Sequence, residues 1–463
     1  MKTRTLFLFL LVWNSLSVCA QEIAGDWNGI LEVRGTKLTL VFHFNCNNGL
    51  YTGTMDSPDQ SAKGIPITSV TFKDSLLNVT LTALQAEYSG KWDGKSLKGT
   101  FKQMGMTFPL DLEKGALKRN RPQEPKAPFP YNVEDVTFLN AKDGISLAGT
   151  LTFPKGKVNS KYPAVVMITG SGAENRDEEI FDHKPFWIIA DYLTRKGIAV
   201  LRFDDRGFGK SGGVYKGATS ADFAKDVEAA VAYLRTRKDI NKKKIGLMGH
   251  SEGGIIAPMV ASTDKKIAFI VLLAGPGLSG EKILIQQGGD LLGDSYSEET
   301  KQALAKIHKG SADILRQYPG ESARSQLQKF YKEKEQDICS ILKFDTKQGD
   351  IFINSMITRF MDPWFRSFLL TNPADYLIKV KCPVLALNGT KDRQVRAEEN
   401  LNGIMKALYK GGNRNVETVS IAPLNHLFQE CKTGMPAEYG VIEETFSPKA
   451  LDKIWEWYSR KIK

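Results

Sequence analysis

Histidine is scarce in this chain of 463 residues, which carries five of them. A chemistry that needs an imidazole base therefore has few candidates, and each can be weighed singly. No histidines, cysteines and acids fall together at the spacing of a metal-ligand set, and no glycine loop has the form that cradles phosphates. The sequence thus calls for no metal and no organic cofactor. Beyond the first twenty residues no run is apolar and long enough to span a bilayer. No fixed repeat period is present, although Trp27-Asn28-Gly29 and Trp92-Asp93-Gly94 look alike. Lysine and arginine total 63 against 52 acidic residues, a net charge of +11. These charges are interleaved rather than massed in one block, the pattern of a mildly cationic soluble surface rather than of a nucleic-acid or membrane binder. Neither nucleic-acid binding nor stable membrane insertion is expected of such a surface. Oligomeric state is left open.

What is present begins at the N-terminus. Lys2 and Arg4 precede an uncharged run from Leu6 to Trp13, and Val18-Cys19-Ala20 leads into Gln21. That is the layout of a secretory signal peptide over residues 1–20, so the protein is expected to be exported, periplasmic or extracellular. Lipoprotein anchoring at Cys19 fits poorly, because Val18 stands where a small residue belongs. Cleavage after Ala20 leaves Cys46, Cys339, Cys382 and Cys431, which allow three pairings and equally allow free thiols.

Residues 21–115 alternate with period two and are rich in Thr, Val, Leu, Phe and Gly. Strands are predicted at Trp27–Val33, Lys37–Phe44, Leu50–Met55, Ile65–Phe72, Leu76–Leu81, Tyr88–Trp92, Leu97–Phe101 and Met106–Leu112. Short strands at that spacing indicate a small antiparallel sandwich or barrel. Pro122, Pro125, Pro128 and Pro130 mark residues 116–130 as an extended linker. From 131 to 463 nearly continuous apolar strands alternate with helices, which indicates a mostly parallel sheet covered on both faces. Residues 278–372 interrupt this alternation with charged amphipathic helices and read as a helical cap. Pro258, inside the helix expected after Ser251, has no account in the sequence.

The chemistry is organised around Ile245–Gly254, IGLMGHSEGG. A strand-like run ends at Gly249-His250-Ser251-Glu252-Gly253, and a helical stretch follows. A serine at such a turn is strained and outward-facing, and the crowded flanking positions call for glycine. A serine hydroxyl needs a base and an orienter for that base. In sheets of this kind reactive groups lie beyond the carboxyl ends of strands. Asp392 follows the strand Pro383–Asn388, and His426 follows Val416–Ile421. Asp362 and Asp375 follow no predicted sheet strand. Of the other histidines, His43 lies in the β domain, His308 in a cap helix, His183 before an aromatic helix, and His250 beside Ser251 on the turn's opposite side. The expected oxyanion donors are the N–H groups of Glu252 and of Ser171, with Gly172 as neighbour. Trp364, Phe365 and Phe368 are the expected acyl pocket, with core packing as the competing role.

Three motifs then carry a resemblance. Ile168-Thr169-Gly170-Ser171-Gly172, Arg202-Phe203-Asp204-Asp205-Arg206-Gly207 and Gly249-His250-Ser251-Glu252-Gly253-Gly254 resemble the α/β-hydrolase superfamily. Within it the chain is similar to secreted bacterial esterases near the prolyl-oligopeptidase-like and dienelactone-hydrolase-like members. The resemblance covers residues 131–463. It departs from the branch with a His-Gly-Gly-Gly oxyanion loop, since Thr169-Gly170-Ser171-Gly172 stands there. It implies a serine hydrolase that cleaves carboxylic esters through Ser251, His426 and Asp392 and an acyl-enzyme. The alternatives are a peptidase acting on amides and, in another class, a ligand-binding protein with an inactive hydrolase domain.

Overall fold

A computed structural model describes residues 23–33, 36–60, 62–116, 119–156, 160–293, 296–342 and 344–462. The expected signal peptide and Cys19 lie outside the described residues. The chain divides into two compact units, Met1–Lys118 and Arg119–Lys463. Cys46, Cys339, Cys382 and Cys431 form no disulfide. Among the described residues no helix is long and apolar enough to cross a membrane.

The first unit is one antiparallel sheet. Its strands are β1 (Gly25–Val33), β2 (Thr36–Asn47), β3 (Leu50–Ser57), β4 (Ala62–Pro66), β5 (Ser69–Lys73), β6 (Leu76–Leu81), β7 (Ala86–Trp92), β8 (Ser96–Gln103), β9 (Met106–Pro109) and β10 (Leu112–Lys114). The pairing path runs β4-β3-β2-β1-β10-β8-β7-β6-β5, with β9 on β8. β4 and β5 thus sit at opposite ends of the path, yet two residues join them. The Ile67 amide donates to Gly53 of β3 (3.2 Å) and the Thr68 amide to Thr80 of β6 (2.8 Å). The sheet is therefore curled until its ends meet, which protects both edges. That change of partner is why the predicted strand Ile65–Phe72 is two strands. Met106–Leu112 also divides, at Leu110-Asp111, where Asp111 accepts from Lys98 Nζ (2.9 Å) and the Gly99 amide (3.2 Å). Alternate side chains, among them Trp27, Phe42, Leu77, Tyr88 and Leu97, fill the core, as a period-two pattern requires.

The second unit begins with an anchored segment. Residues 119–130 form no helix or strand, but Arg121 donates to the carbonyls of Phe181 (2.8 Å), Gly440 (2.9 Å) and Ile442 (3.0 Å). Gln123 binds the Thr445 amide (2.6 Å) and the Phe446 carbonyl (2.8 Å). The stretch read as a spacer thus lies, from Arg119 onward, along the unit that follows it. An eight-stranded sheet comes next: β11 (Tyr131–Asn140), β12 (Ile145–Pro154), β13 (Tyr162–Ile168), β14 (Ala199–Phe203), β15 (Ile240–His250), β16 (Ile270–Leu273), β17 (Val384–Gly389) and β18 (Val416–Ile421), in the order β11-β12-β14-β13-β15-β16-β17-β18. The short turn after Asn140 forces β12 back antiparallel, and β12 also pairs antiparallel with β14. The remaining pairs are parallel. This is the α/β-hydrolase fold.

Helices α1 (Pro185–Arg195), α2 (Ser220–Thr236) and α3 (Gly253–Thr263) connect the first parallel strands. The cap follows β16 as α4 (Gly280–Leu292), α5 (Glu298–Gln317), α6 (Gly320–Glu333), α7 (Glu335–Leu342), α8 (Thr346–Met361) and α9 (Pro363–Leu370). The chain then returns through α10 (Ala374–Leu377), α11 (Ala397–Lys410) and α12 (Pro448–Lys461). β13 shows how the strands divide the core. Ala164, Val166 and Ile168 join residues of α2, α3 and α11, whereas Val165 and Met167 face α1 and α12. Both faces are covered, hence the continuous apolar runs. α3 continues through Pro258, all of its residues before Thr263 buried. The cap has its own core, including Leu315, Leu327, Tyr331, Phe360 and Phe365.

Candidate active site

Ser251 occupies the turn from β15 to α3 with φ +50°, in the left-handed region that a non-glycine residue adopts only under constraint. Its amide donates to Leu273 of β16 (2.9 Å) and its carbonyl accepts from Gly254 (2.9 Å). A Cβ on Gly249 would overlap the Gly253 carbonyl, and one on Gly253 would overlap the Ile168 carbonyl of β13. The two glycines therefore let strand, turn and helix approach closely enough to hold the serine.

Two further loops meet it. His426 Nε2 lies 3.1 Å from Ser251 Oγ, and His426 Nδ1 lies 2.7 Å from Asp392 Oδ2. The carboxylate can only accept, so the proton sits on Nδ1 and Nε2 accepts from the hydroxyl. Asp392 is fixed in turn: its Oδ1 accepts from the amides of Gln394 (2.8 Å) and Val395 (2.9 Å). Both side chains are buried. Asn425 organises the histidine loop, its Oδ1 accepting from the amides of Leu427 (3.0 Å) and Gln429 (2.9 Å). Three residues far apart in sequence thus form one hydrogen-bonded chain at the ends of β15, β17 and β18.

His250 does not turn away from the site as expected: its ring packs on that of His426, 4.9 Å between centroids, and braces this assembly. One ring nitrogen lies 2.9 Å from Glu178 Oε1 and the other 3.0 Å from the His426 carbonyl. Two acceptors require two N–H donors, so His250 is an imidazolium. Burial opposes that charge, but the Glu178 carboxylate prevails and raises the pKa. The same Glu178 oxygen accepts from the Gly170 amide (2.8 Å), and Tyr215 Oη accepts from the Gly172 amide (3.0 Å). Gly172 is thereby engaged, and Ser171, exposed between the two, keeps its N–H available.

Carboxyls cluster around this loop. Burial and the neighbouring Glu178 and Asp205 raise Glu174 well above the ordinary carboxylate range. Burial lifts Asp205 to about 8 against hydrogen bonds from Glu174 N–H and Thr169. Burial likewise lifts Glu252 to about 7, opposed by bonds from Ser220 and Trp364. The arginines and acids of this region pair across segments: Arg176 with Asp204 (2.7 Å), Arg206 with Asp226 of α2 (2.7 Å), and Arg202 of β14 with Asp177.

Of the three aromatics expected to line an acyl pocket, Phe365 is 3% exposed and packs on Phe360 in the cap core, 5.5 Å between centroids. It is a packing residue. Trp364 and Phe368 are half-buried and stacked on each other (5.7 Å, 14°), and Trp364 donates to Glu252. A cleft of about 950 Å³ opens beyond β17 and β18, lined by Lys391, Asp392, Arg393 and Lys432, but it does not reach Ser251 or His426. The Glu178–His250 brace, Asn425 and the Glu252–Trp364 contact were not foreseen. The two side-chain pairs join segments remote in sequence, and only the turn-forming character of Asn425 beside His426 left a signal.

A profile of the X-Pro dipeptidyl-peptidase (S15) family matches residues 143–427, more than half of the chain. The chain belongs to the S15 family. The match begins in the β11–β12 turn and runs past His426. Among relatives of this S15 protein, esterase EstD of Thermotoga maritima is 28% identical over 334 residues, 71% of this chain and 68% of EstD. Among solved structures, the Pyrococcus furiosus esterase Pf2001 is 19% identical with a TM-score of 0.42, covering 72% of this chain and 94% of that one. The Pseudomonas aeruginosa protein PA2218 is 16% identical with a TM-score of 0.45, covering 75% and 99%. With its S15 membership and its esterase relative, the chain is a hydrolase.

Proposed function

We propose that this hydrolase cleaves carboxylic esters through a Ser251 acyl-enzyme. The observation that carries the reading is the unbroken hydrogen-bonded chain from Ser251 Oγ through His426 to Asp392. His426 takes the hydroxyl proton as Ser251 attacks the ester carbonyl, and returns it to the leaving alcohol. Asp392 holds the tautomer and stabilises the imidazolium. Water then repeats the sequence on the acyl-enzyme. The Glu252 and Ser171 N–H groups receive the tetrahedral oxygen, and loss of one such donor costs about 100- to 1000-fold in rate. No step calls for a metal or organic cofactor, and the partner is a small ester. The N-terminal sequence supports export, which mass spectrometry of the mature chain checks: it should begin at Gln21.

The esterase reading draws on EstD. The S15 family's own description supports a second, cleavage of amides after proline. A fluorophosphonate probe should label the protein and not Ser251→Ala, and absence of labelling would favour a ligand-binding protein with an inactive hydrolase domain. Turnover of short p-nitrophenyl esters in preference to X-Pro anilides supports the ester, and the reverse order the amide.

A further inference from the structure

The residue after Ser251 is acidic, and its side chain is withdrawn from water: Glu252 is 2% exposed. A carboxylate so buried is strongly disfavoured unless its oxygens are bonded. Here they are. Ser220 Oγ donates to Oε1 at 2.5 Å, and Trp364 Nε1 donates to Oε1 at 2.9 Å and Oε2 at 3.0 Å. Ser220 is the first residue of α2 and Glu252 directly precedes α3, so the positive ends of two helix dipoles work with these bonds against the cost of burial.

Trp364 comes from the cap, and its placement is fixed on every side. Asp362 caps α9 by accepting from the Phe365 amide (3.0 Å). Phe368 stacks on the indole. Arg366, on the same helix, donates to the carbonyls of Leu315 (2.7 Å) and Tyr318 (2.8 Å) at the end of α5. The indole N–H is thus a rigid extension of the cap that ends on the residue beside the nucleophile. The Glu252 carbonyl is committed to the amides of Ile255 (2.8 Å) and Ile256 (3.1 Å). The Ser251 carbonyl, which shares an amide plane with the Glu252 N–H, is itself held by the Gly254 amide (2.9 Å), so with the carboxylate clamped as well that plane has little freedom. A well-packed apolar side chain would fill the same space without the desolvation penalty of a charge. Packing alone therefore does not account for an acid here.

We propose that Glu252 is a positioning residue: clamped between Ser220 of α2 and Trp364 of the cap, it fixes the amide N–H that receives the oxyanion, so that cap seating and oxyanion stabilisation are one event. This rests on the serine-hydrolase reading above. The charged and titratable groups facing Glu252 are Glu174, Asp205 and Tyr215, and none of them supplies a countercharge. The neutral indole and hydroxyl are its only donors among the described side chains.

The test measures kcat and KM for a p-nitrophenyl ester with the full chain, per active site titrated by a fluorophosphonate. Trp364→Phe keeps the stacked ring and deletes the N–H. It should lower kcat about tenfold, the scale of one hydrogen bond to a charged group, with KM within twofold. Glu252→Leu fills the volume without the acceptors and should lose about 100-fold, and Glu252→Gln, which keeps one acceptor oxygen, should recover part of that loss. Adding Trp364→Phe to Glu252→Leu should change nothing further, because the contact is already gone. If Glu252→Leu does not fold, Trp364→Phe combined with Glu252→Gln carries the same test, with a combined loss smaller than the product of the two. Glu252→Leu with kcat per site within twofold of the unmodified protein, or losses that multiply, would overturn the proposal while labelling at Ser251 stands. A chain that no probe labels would overturn the hydrolase reading and this proposal with it.

Discussion

The two units bury different things. Among the described residues of the N-terminal sheet, the buried polar side chains are Ser57 and Ser96. The hydrolase unit buries Glu178, His183, Arg202, Asp204, Arg206, Asp226, His250, Glu252, Asp392 and His426. A curled antiparallel sheet with one solvated face satisfies its backbone internally and fills its core with alternate apolar side chains. A sheet covered on both faces has loops that must converge at the strand ends. Polar groups drawn in there survive only when paired or hydrogen-bonded. The expensive groups of this molecule are therefore concentrated where loops are held in register around Ser251. The comparison yields a rule: substitutions of the buried polar groups that touch Ser251 or His426 change chemistry before stability, and those in the core of the first unit change stability.

The largest effect expected under that rule is at Asp392. Asp392→Asn keeps the shape but offers an N–H where His426 Nδ1 needs an acceptor, so the ring flips its tautomer. Turnover should fall by roughly 10⁴ while the urea midpoint stays close to that of the unmodified protein, read by ester hydrolysis and urea titration on the same samples. A loss below tenfold would remove Asp392 from the reaction and weaken the contrast. Trp27→Ala addresses the other side. Trp27 is fully buried, with its indole N–H bonded to the Ile23 carbonyl (2.8 Å). Truncation should destabilise the N-terminal unit by about 3–5 kcal/mol, seen as a separate early thermal transition, with kcat per titrated site unchanged. A fall in kcat would mean that the N-terminal unit takes part in turnover.

How much of this the sequence disclosed follows the same division. The elbow at Ser251 was legible because its cause is local: a strand, a turn and two glycines whose absent side chains make the approach possible. Asp392 and His426 were legible because a parallel sheet delivers strand ends to one edge, and each followed a recognisable strand. The break at Ile67-Thr68 was not, since only closure of the sheet makes consecutive residues change partners. Phe365 reads the same whether it turns toward a substrate or into the cap core, because apolarity does not encode direction. The anchoring of residues 119–130 depends on carbonyls near residues 181 and 440, which no local pattern announces. The Glu178–His250 and Glu252–Trp364 contacts are likewise side-chain pairs across long loops, and these are the parts that decide how rigid the site is.

His183 shows what a buried imidazole does to the pH response of the second unit. It is fully buried, bonded to Thr445 Oγ1 (2.9 Å) and the Tyr439 carbonyl (2.9 Å). Burial, helped by the Arg121 charge, lowers its pKa to about 4. Between about 6.5 and 4 the unfolded chain takes up a proton that the folded chain refuses, so stability is lost as pH falls through that window, by roughly 3 kcal/mol when complete. His183→Gln should be the less stable protein at pH 7, with the gap closing as pH approaches 4, as measured by urea denaturation across that range. A gap that stays constant would show that His183 is protonated in the folded state.

His43 supplies the smallest effect and the opposite sign. Its ring lies between Asp26 (2.7 Å) and Asp56 (3.2 Å), one-third exposed. Partial burial works against the charge, but the hydrogen bonds and charges of the two carboxylates outweigh it and raise the pKa. A raised histidine stabilises the fold fully below its unfolded value of about 6.5, and that contribution disappears as pH rises through the folded value. Because water screens a half-exposed pair, Asp26→Asn should cost less than about 1 kcal/mol at pH 6 and close to nothing at pH 9, the loss shrinking further in high salt. Thermal unfolding of the variant at the two pH values measures it. The two units would then respond to acid in opposite directions, one because its imidazole is denied a proton and the other because its imidazole is supplied with two counterions. Equal losses at pH 6 and pH 9 would mean that the His43–Asp26 contact works as a neutral hydrogen bond, and the contrast between the units would reduce to burial alone.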